Sequence, residues 1–216
     1  NQYLDVYEPA TGLIYSNVAD SNSNDVENAY QSAQSAFKFW SGISVEERAG
    51  YLNKIADGIE SRLDEFAEYE SRDTGKPISL AKSVDIPRAV SNFRFFAEFG
   101  LAFQFESELN SDQSQNKLIR SPLGVVGCIS PWNLPLYLFT WKIAPALIAG
   151  NTVVAKPSEI TPYTAFKLSE ICRDAGFPVG VLNIIHGQGS TAGDALVGHR
   201  GIKAISFTGG TATGKL

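Results

Sequence analysis

Four short segments of this 216-residue chain bring together residue types that can do chemistry, and each follows a run of apolar residues. In Ser130-Pro131-Trp132-Asn133-Leu134-Pro135, two prolines hold a loop and Asn133 carries an amide with two N–H donors. A fixed amide can stabilise negative charge developing on a carbonyl oxygen, although an Asn between prolines is equally an ordinary turn residue. In Lys156-Pro157-Ser158-Glu159, a donor and an acceptor three residues apart share one strand tip. That pairing suits the vicinal hydroxyls of a ribose; the same pattern also describes a surface ion pair with Glu at a helix start. Gly187-Gln188-Gly189-Ser190-Thr191-Ala192-Gly193 is one residue longer than the dinucleotide fingerprint G-x-G-x-x-G, and alone it is a weak signal. Thr208-Gly209-Gly210-Thr211-Ala212-Thr213-Gly214-Lys215-Leu216 nearly satisfies the phosphate loop G-x-x-x-x-G-K-[ST]. It fails at Leu216, where a magnesium-binding hydroxyl would stand, so a triphosphatase is the alternative that pattern alone leaves open.

The other reactive side chains point to less. His186 and His199 are the only histidines, and neither is spaced with Cys or carboxylates as a metal site requires, so both read as loop residues. Cys128 falls in an apolar run and Cys172 on an apolar helix face, as small buried hydrophobes do; two cysteines are too few for a disulfide framework. A reducing, cytoplasmic setting is therefore expected. The net charge of −5 argues against nucleic acid or an anionic membrane as partner. No apolar run approaches the ~20 residues of a membrane span, and Asn1 to Asp5 show no signal-peptide pattern. Charged residues are 19% against a usual ~25%, and 44% are hydrophobic, so a well-buried core is expected rather than disorder. There is no methionine, so the chain is expected to be processed, trimmed or part of something longer.

The elements that must position these segments fall into two regions. To about residue 110 the pattern reads as mostly helical. Val26, Tyr30, Ala33 and Phe37 recur at helical spacing after Asn24 as N-cap. Ser44 and Glu47 form a capping box ahead of one long helix carrying Leu52, Ile55, Ile59, Leu63 and Phe66, which should end at Gly75-Lys76-Pro77. A third helix, with Pro87 near its start, carries Phe93, Phe95, Phe96 and Phe99, an aromatic density that predicts core packing. Residues 107–117 are polar and read as a hairpin turn or linker. From Leu118 the period changes. Apolar runs at 124–130, 152–156, 181–185 and 204–208 predict strands, and Thr161 with Pro162 opens a helix closed by Gly176. Strands apolar throughout and separated by helices predict a doubly wound parallel sheet, an α/β fold, with ligands beyond the carboxyl ends of the strands.

Taken in order, Pro9-Ala10-Thr11-Gly12, Asp73-Thr74-Gly75-Lys76-Pro77, Ser130-Pro131-Trp132-Asn133, Ala149-Gly150-Asn151-Thr152-Val153, Lys156-Pro157-Ser158-Glu159, the 187–193 glycines and Phe207-Thr208-Gly209-Gly210-Thr211-x-x-Gly214 resemble the aldehyde dehydrogenase superfamily over essentially the whole chain. The single motifs are modest; the ordered series is specific. The resemblance implies a modified Rossmann domain for NAD(P), preceded by N-terminal helices. It makes Asn133 the oxyanion donor and places Lys156, Ser158 and Glu159 at the adenine ribose. Gly189 and Gly193 would lie under the adenosine, and Thr208, Gly209, Gly210 and Gly214 by the pyrophosphate. Ser130, Pro131 and Trp132 would line the same cleft, and Lys215 becomes incidental. Gly210 stands where many relatives have Ser, which removes one hydroxyl near the cofactor. Glu159 implies NAD over NADP, because a carboxylate repels the extra 2′-phosphate.

Residues 84–97 and 135–142 are similar to the 2-hydroxymuconic and 2-aminomuconic semialdehyde dehydrogenases, whose substrates carry a carboxylate as well as the aldehyde. Arg88 is then the candidate partner of that carboxylate, with an ion pair of purely structural role as its alternative, and Leu134 a second substrate contact. The family division would be residues 1–106 as the helical part of the cofactor domain, 107–123 as a hairpin used in oligomerisation and 124–216 as its nucleotide-binding part. The family's nucleophilic Cys, its general-base Glu, its catalytic domain and its C-terminal oligomerisation strand would all lie beyond Leu216, and full-length relatives are homo-oligomers. The expectation is an N-terminal portion of an NAD-dependent aldehyde dehydrogenase, inactive by itself. A stand-alone nucleotide-binding or interaction module is the alternative.

Overall fold

The computed structural model describes residues 2–111 and 113–215, with only the backbone of Leu109. Leu216, on which the phosphate-loop reading turns, and Asn1 lie outside the described residues. Two strands, β1 (Tyr3–Glu8) and β2 (Leu13–Ala19), form an antiparallel hairpin, so the first region is not only helical as its periodicity predicts. The sheet signal is faint because only Val6 and Val18 are buried in these strands.

Helix α1 (Ser23–Gly42) starts two residues earlier than expected. Asn22 rather than Asn24 is its cap, because the Asn22 side chain accepts from Asn24 N–H while Asp25 reaches back to the Asn22 N–H. The Ser44–Glu47 capping box opens α2 (Val45–Ser61) as expected. The single long helix does not form: the chain breaks at Arg62 (φ −115°, ψ 27°) and resumes as α3 (Leu63–Thr74). The break re-phases the sequence so that Phe66 and Ala67 still reach the core. Gly75 ends α3 at φ 74°, a left-handed conformation that a Cβ would strain.

A short turn α4 (Ile78–Leu80) and a π turn at Ala81–Asp85 lead into α5 (Ile86–Ala102), with Pro87 in its first turn. The aromatic run of α5 is corrected here. Phe93 is fully buried, but Phe95 is 54% and Phe99 49% exposed, because consecutive aromatics on a helix cannot all face one core. The exposed rings stack on each other instead, Phe95 on Phe99 at 6.0 Å and Phe99 with Phe103 at 5.5 Å. Strands β3 (Glu106–Ser111) and β4 (Ser114–Ile119) form the polar hairpin.

The remaining elements alternate: β5 (Val125–Ile129), α6 (Pro135–Ile148), β6 (Thr152–Lys156), α7 (Tyr163–Asp174), β7 (Leu182–Ile184), a π turn at Gly189–Gly193, α8 (Asp194–Gly198) and β8 (Ile205–Phe207). The four strands form one parallel sheet in the order β7-β6-β5-β8. α1 and α8 pack on one face; α2, α5, α6 and α7 build the larger core on the other around Phe93, Phe139 and Leu168, and Trp40 from the last turn of α1 joins it. The chain moves outward from β5 through β6 to β7 and then returns to the far side of β5 as β8. That reversal opens a crevice between the ends of β5 and β8, the place where such sheets bind ligands.

A buried polar network ties the helical region to the sheet. Glu70 and Asp85 are 0% and 2% exposed; Lys76 Nζ lies 2.7 Å from Asp85 and 3.7 Å from Glu70. Tyr15 donates to Asp73 at 2.9 Å, and Thr164 donates to Glu70 at 3.0 Å. Burial pushes the Glu70 carboxyl up to about 7 and that of Asp73 up to about 6. Both groups hold their protons more tightly folded than unfolded. Their contribution to stability is therefore whole below about pH 4 and is lost as the pH rises through 6 to 7. Glu70→Gln keeps an acceptor for Thr164 without the charge. It is expected to raise Tm by about 2–5 °C at pH 8 and to leave it unchanged at pH 4. Thermal melts at the two pH values check this; an identical shift at both would show that protonation of Glu70 is not the cause.

Candidate functional site

The crevice at the strand reversal is a cleft of about 640 Å³, lined by Ile129, Ser130, Pro131, Trp132, Asn133, Leu138, Lys156, Ser158, Glu159, Gly189, Phe207, Thr208, Gly209, Gly210 and Thr213. Sequence segments separated by up to about 80 residues thus meet beyond the carboxyl ends of the four strands β5, β6, β7 and β8, which is what a parallel sheet does with residues following its strands.

Each side chain has an identifiable hold. The β5 end delivers Ser130 into the cleft wall, where its Oγ is buried and has no hydrogen-bond partner among the described residues. Pro131 and Pro135, the latter in the first turn of α6, fix the loop between them. Asn133 is exposed on that loop with its amide uncommitted among the described residues. The β6 end delivers Lys156, whose side chain is 3% exposed and whose Nζ donates to Pro157 O at 3.2 Å and Glu159 at 3.0 Å. Glu159 also accepts from Gly189 N–H at 3.3 Å. Burial works against its charge, but its own backbone N–H, the Lys156 ammonium and the Gly189 N–H hold the carboxyl below the usual range. Donors and an acceptor thus converge on one tip.

The β8 end delivers the glycine turn. Lys142 on α6 reaches up to donate to Thr208, and Thr208 N–H donates to Ile129 O at 3.1 Å. A Cβ on Gly209 would lie 2.4 Å from the tip of the Phe207 ring, so any other residue there would displace that ring from the cleft wall. Gly193 lies just behind the lining, where a Cβ would meet the Lys156 stem at 3.8 Å, and Gly214 rests against Phe207. Ile129, Leu138, Phe207 and Thr213 also line the cleft. Sequence reasoning does not single out Ile129, Leu138 and Phe207 because apolar residues at strand and helix ends carry no signal that separates a binding wall from core, and Thr213 reads there only as a variable position of the glycine turn.

Arg88 and Leu134 are not part of this lining. Leu134 is the half-buried residue preceding α6. Arg88 is exposed, with its guanidinium 5.3 Å above the Tyr137 ring, and among the described residues it has no carboxylate partner, so the structural ion pair is not formed. Thr161 does not cap α7 as expected; its hydroxyl donates to Trp132 O at 3.1 Å, tying the Lys156 and Asn133 loops together. Cys128 and Cys172 are buried, and burial pushes both thiols up to about 12. His186 is buried in a loop, where burial and the Lys156 charge push it down to about 4; His199 pairs with Glu27 at 3.0 Å. Among the described residues no group of three or more His, Cys, Asp or Glu could hold a metal ion, and no helix is long and apolar enough to cross a membrane.

The profile of the aldehyde dehydrogenase family matches residues 1–216. The chain belongs to the aldehyde dehydrogenase family. A similar curated relative is the 2-aminomuconic semialdehyde dehydrogenase of Danio rerio, 51% identical over all of this chain and 45% of its own length. The 2-hydroxymuconic semialdehyde dehydrogenase of Pseudomonas sp. (strain CF600) is 48% identical over 96% of this chain and 44% of its own. Among solved structures, PnpE in complex with nicotinamide adenine dinucleotide superposes with a TM-score of 0.96 at 41% identity, covering 99% of this chain and 44% of that one. This aldehyde dehydrogenase chain therefore spans a little under half the length of the relatives it matches.

Proposed function

We propose that these 216 residues are the cofactor-binding portion of an NAD-dependent aldehyde dehydrogenase acting on a semialdehyde that also carries a carboxylate. The observation that carries the reading is the single cleft shared by Asn133, Lys156, Glu159 and Gly209, with an uncommitted amide at one end and an ordered ion pair near the other. The residues fit NAD. Lys156 and Glu159 can bracket the vicinal hydroxyls of the adenosine ribose, with Ser158 beside them. The Ser130 Oγ, buried without a partner, calls for a polar group from a bound molecule. Gly189 and Gly193 leave room for the adenosine, and Thr208, Gly209, Gly210 and Gly214 expose backbone to the pyrophosphate. The Glu159 carboxylate disfavours a 2′-phosphate and hence NADP.

Bound NAD accepts a hydride from the substrate carbon. What this chain contributes is orientation and charge stabilisation. Pro131 and Pro135 hold Asn133 so that its N–H groups meet an aldehyde oxygen without reorganising. Leu134 and Arg88 are assigned to the substrate, because the Arg88 guanidinium, exposed over Tyr137 and without a carboxylate partner among the described residues, suits a substrate carboxylate. Neither thiol described here serves as nucleophile, because both are buried and protonated. The attacking thiol and the water-activating carboxylate are assigned to residues outside these 216, and the β3–β4 hairpin to contact with other subunits.

The test is NADH formation, read at 340 nm, in a full-length chain carrying these residues. A carboxylated semialdehyde is expected to be oxidised, and the 216 residues alone are expected to yield no acid. Arg88→Ala is expected to raise KM for the carboxylated substrate about tenfold, the worth of one charge-assisted contact, and for an aliphatic aldehyde less than about twofold. Equal effects on both substrates would remove Arg88 from the substrate site, and acid from the isolated 216 residues would overturn the division of labour.

A further inference from the structure

The N-terminus of α7 lacks a cap of its own. Pro162 occupies the N-cap position, no local side chain accepts from the first turn, and the loop before it, Pro157 to Pro162, is the one that carries Ser158 and Glu159. The missing acceptor comes from across the fold. Asp73, on the last turn of α3, accepts from Tyr163 N–H at 3.0 Å, and Glu70, one turn earlier, accepts from the Thr164 hydroxyl at 3.0 Å. Asp73 is itself fixed by the Tyr15 hydroxyl, and Glu70 lies beside Lys76. The Pro157–Pro162 loop is thus tethered at Gly189 through Glu159, at Trp132 through Thr161 and at Asp73 through Tyr163. The first two tethers belong to the cleft wall. The third anchors the loop to a rigid, buried carboxylate outside it, four residues from Glu159.

We propose that Asp73, supported by Glu70, is a positioning residue for the ribose-binding loop: by capping α7 from a distance it sets where Glu159 stands relative to Lys156. This rests on the reading of Lys156 and Glu159 as ribose ligands. Asp73 touches no ligand; it acts through the backbone of Tyr163. Removing its carboxylate frees the N–H and lets the first turn of α7 fray. The Glu159 carboxylate then samples positions in which it no longer meets a ribose hydroxyl.

The experiment compares native protein, Asp73→Ala, Asp73→Asn and Thr164→Val by hydrogen exchange and by calorimetric titration with NAD and with its analogue lacking the adenosine 2′-hydroxyl. Asp73→Ala is expected to speed exchange of the Tyr163 amide about tenfold and to weaken NAD about fivefold, while the deoxy analogue weakens less than about twofold. Asp73→Asn, which keeps an acceptor, is expected to restore NAD affinity to within about twofold of native. Thr164→Val, which loses only the Glu70 tether, gives the same pattern at about half the size and stands in should Asp73→Ala melt below the assay temperature. Equal loss of NAD and its deoxy analogue, or unchanged Tyr163 exchange, would overturn the proposal. Native protein that binds neither ligand while Tyr163 exchange still responds to Asp73→Ala would overturn the cofactor reading instead.

Discussion

Replacing Asn133 with Ala in a full-length chain carrying these residues is expected to lower kcat for aldehyde oxidation about 10²–10³-fold, the usual cost of one oxyanion donor. NAD affinity should stay within about twofold, because the residues proposed to meet the ribose and pyrophosphate follow other strands. The argument is geometric. Asn133 stands between a proline loop and the proline-opened α6, faces the cleft, and spends its N–H groups on nothing else among the described residues. Such a donor needs no reorganisation when charge develops on the carbonyl oxygen. Asn133→Asp should be at least as damaging, since it exchanges donors for a negative acceptor of the same shape. Steady-state kinetics with a parallel NAD titration separate the readings: a turn residue would lower Tm while leaving kcat near native.

The second large effect belongs to Lys156. Lys156→Met keeps the buried stem and removes the ammonium, so it is expected to raise the NAD dissociation constant about 10–30-fold with little change in kcat. The figure is at the low end for breaking a hydrogen-bonded charge pair, because the Glu159 side chain is 37% exposed and solvent screens part of its charge. The substitution acts twice: it withdraws the donor proposed to meet the ribose hydroxyls, and it removes one of the groups that hold the Glu159 carboxyl down and in place. His186 nearby stays neutral in the variant, since burial is the larger cause of its low pKa. Fluorescence titration with NADH reads the change; a native-like constant would leave the Lys156–Glu159 pair as a structural ion pair only.

Much of the sheet was legible in the linear order of residues. Strands buried on both faces must be apolar throughout, so Val125–Ile129 and Thr152–Lys156 announce themselves, and polar residues at their ends must then mark the ligand side. The Ser44–Glu47 box and Gly75 are equally local, since a cap is made by residues three or four apart. The β1–β2 hairpin was not legible, because its strands bury one residue each and the alternation is too faint to read. Nor was the break at Arg62, since the residues on either side keep helical spacing.

What residue types and their spacing determined by themselves is the set of groups at the strand ends, a ribose-type pair, an amide and a glycine turn, because those depend on short-range chemistry. Only tertiary structure decided that β8 returns beside β5, which turns separate loops into one cleft. It also decided that Arg88 lies over Tyr137 with no carboxylate partner among the described residues, and that α7 is capped by a carboxylate from α3, 90 residues earlier in the chain. The physical reason is range. Periodicity and caps are set by neighbours within a turn or two, whereas strand order, pairing partners and borrowed caps are set by which apolar faces bury each other, and no local pattern records that.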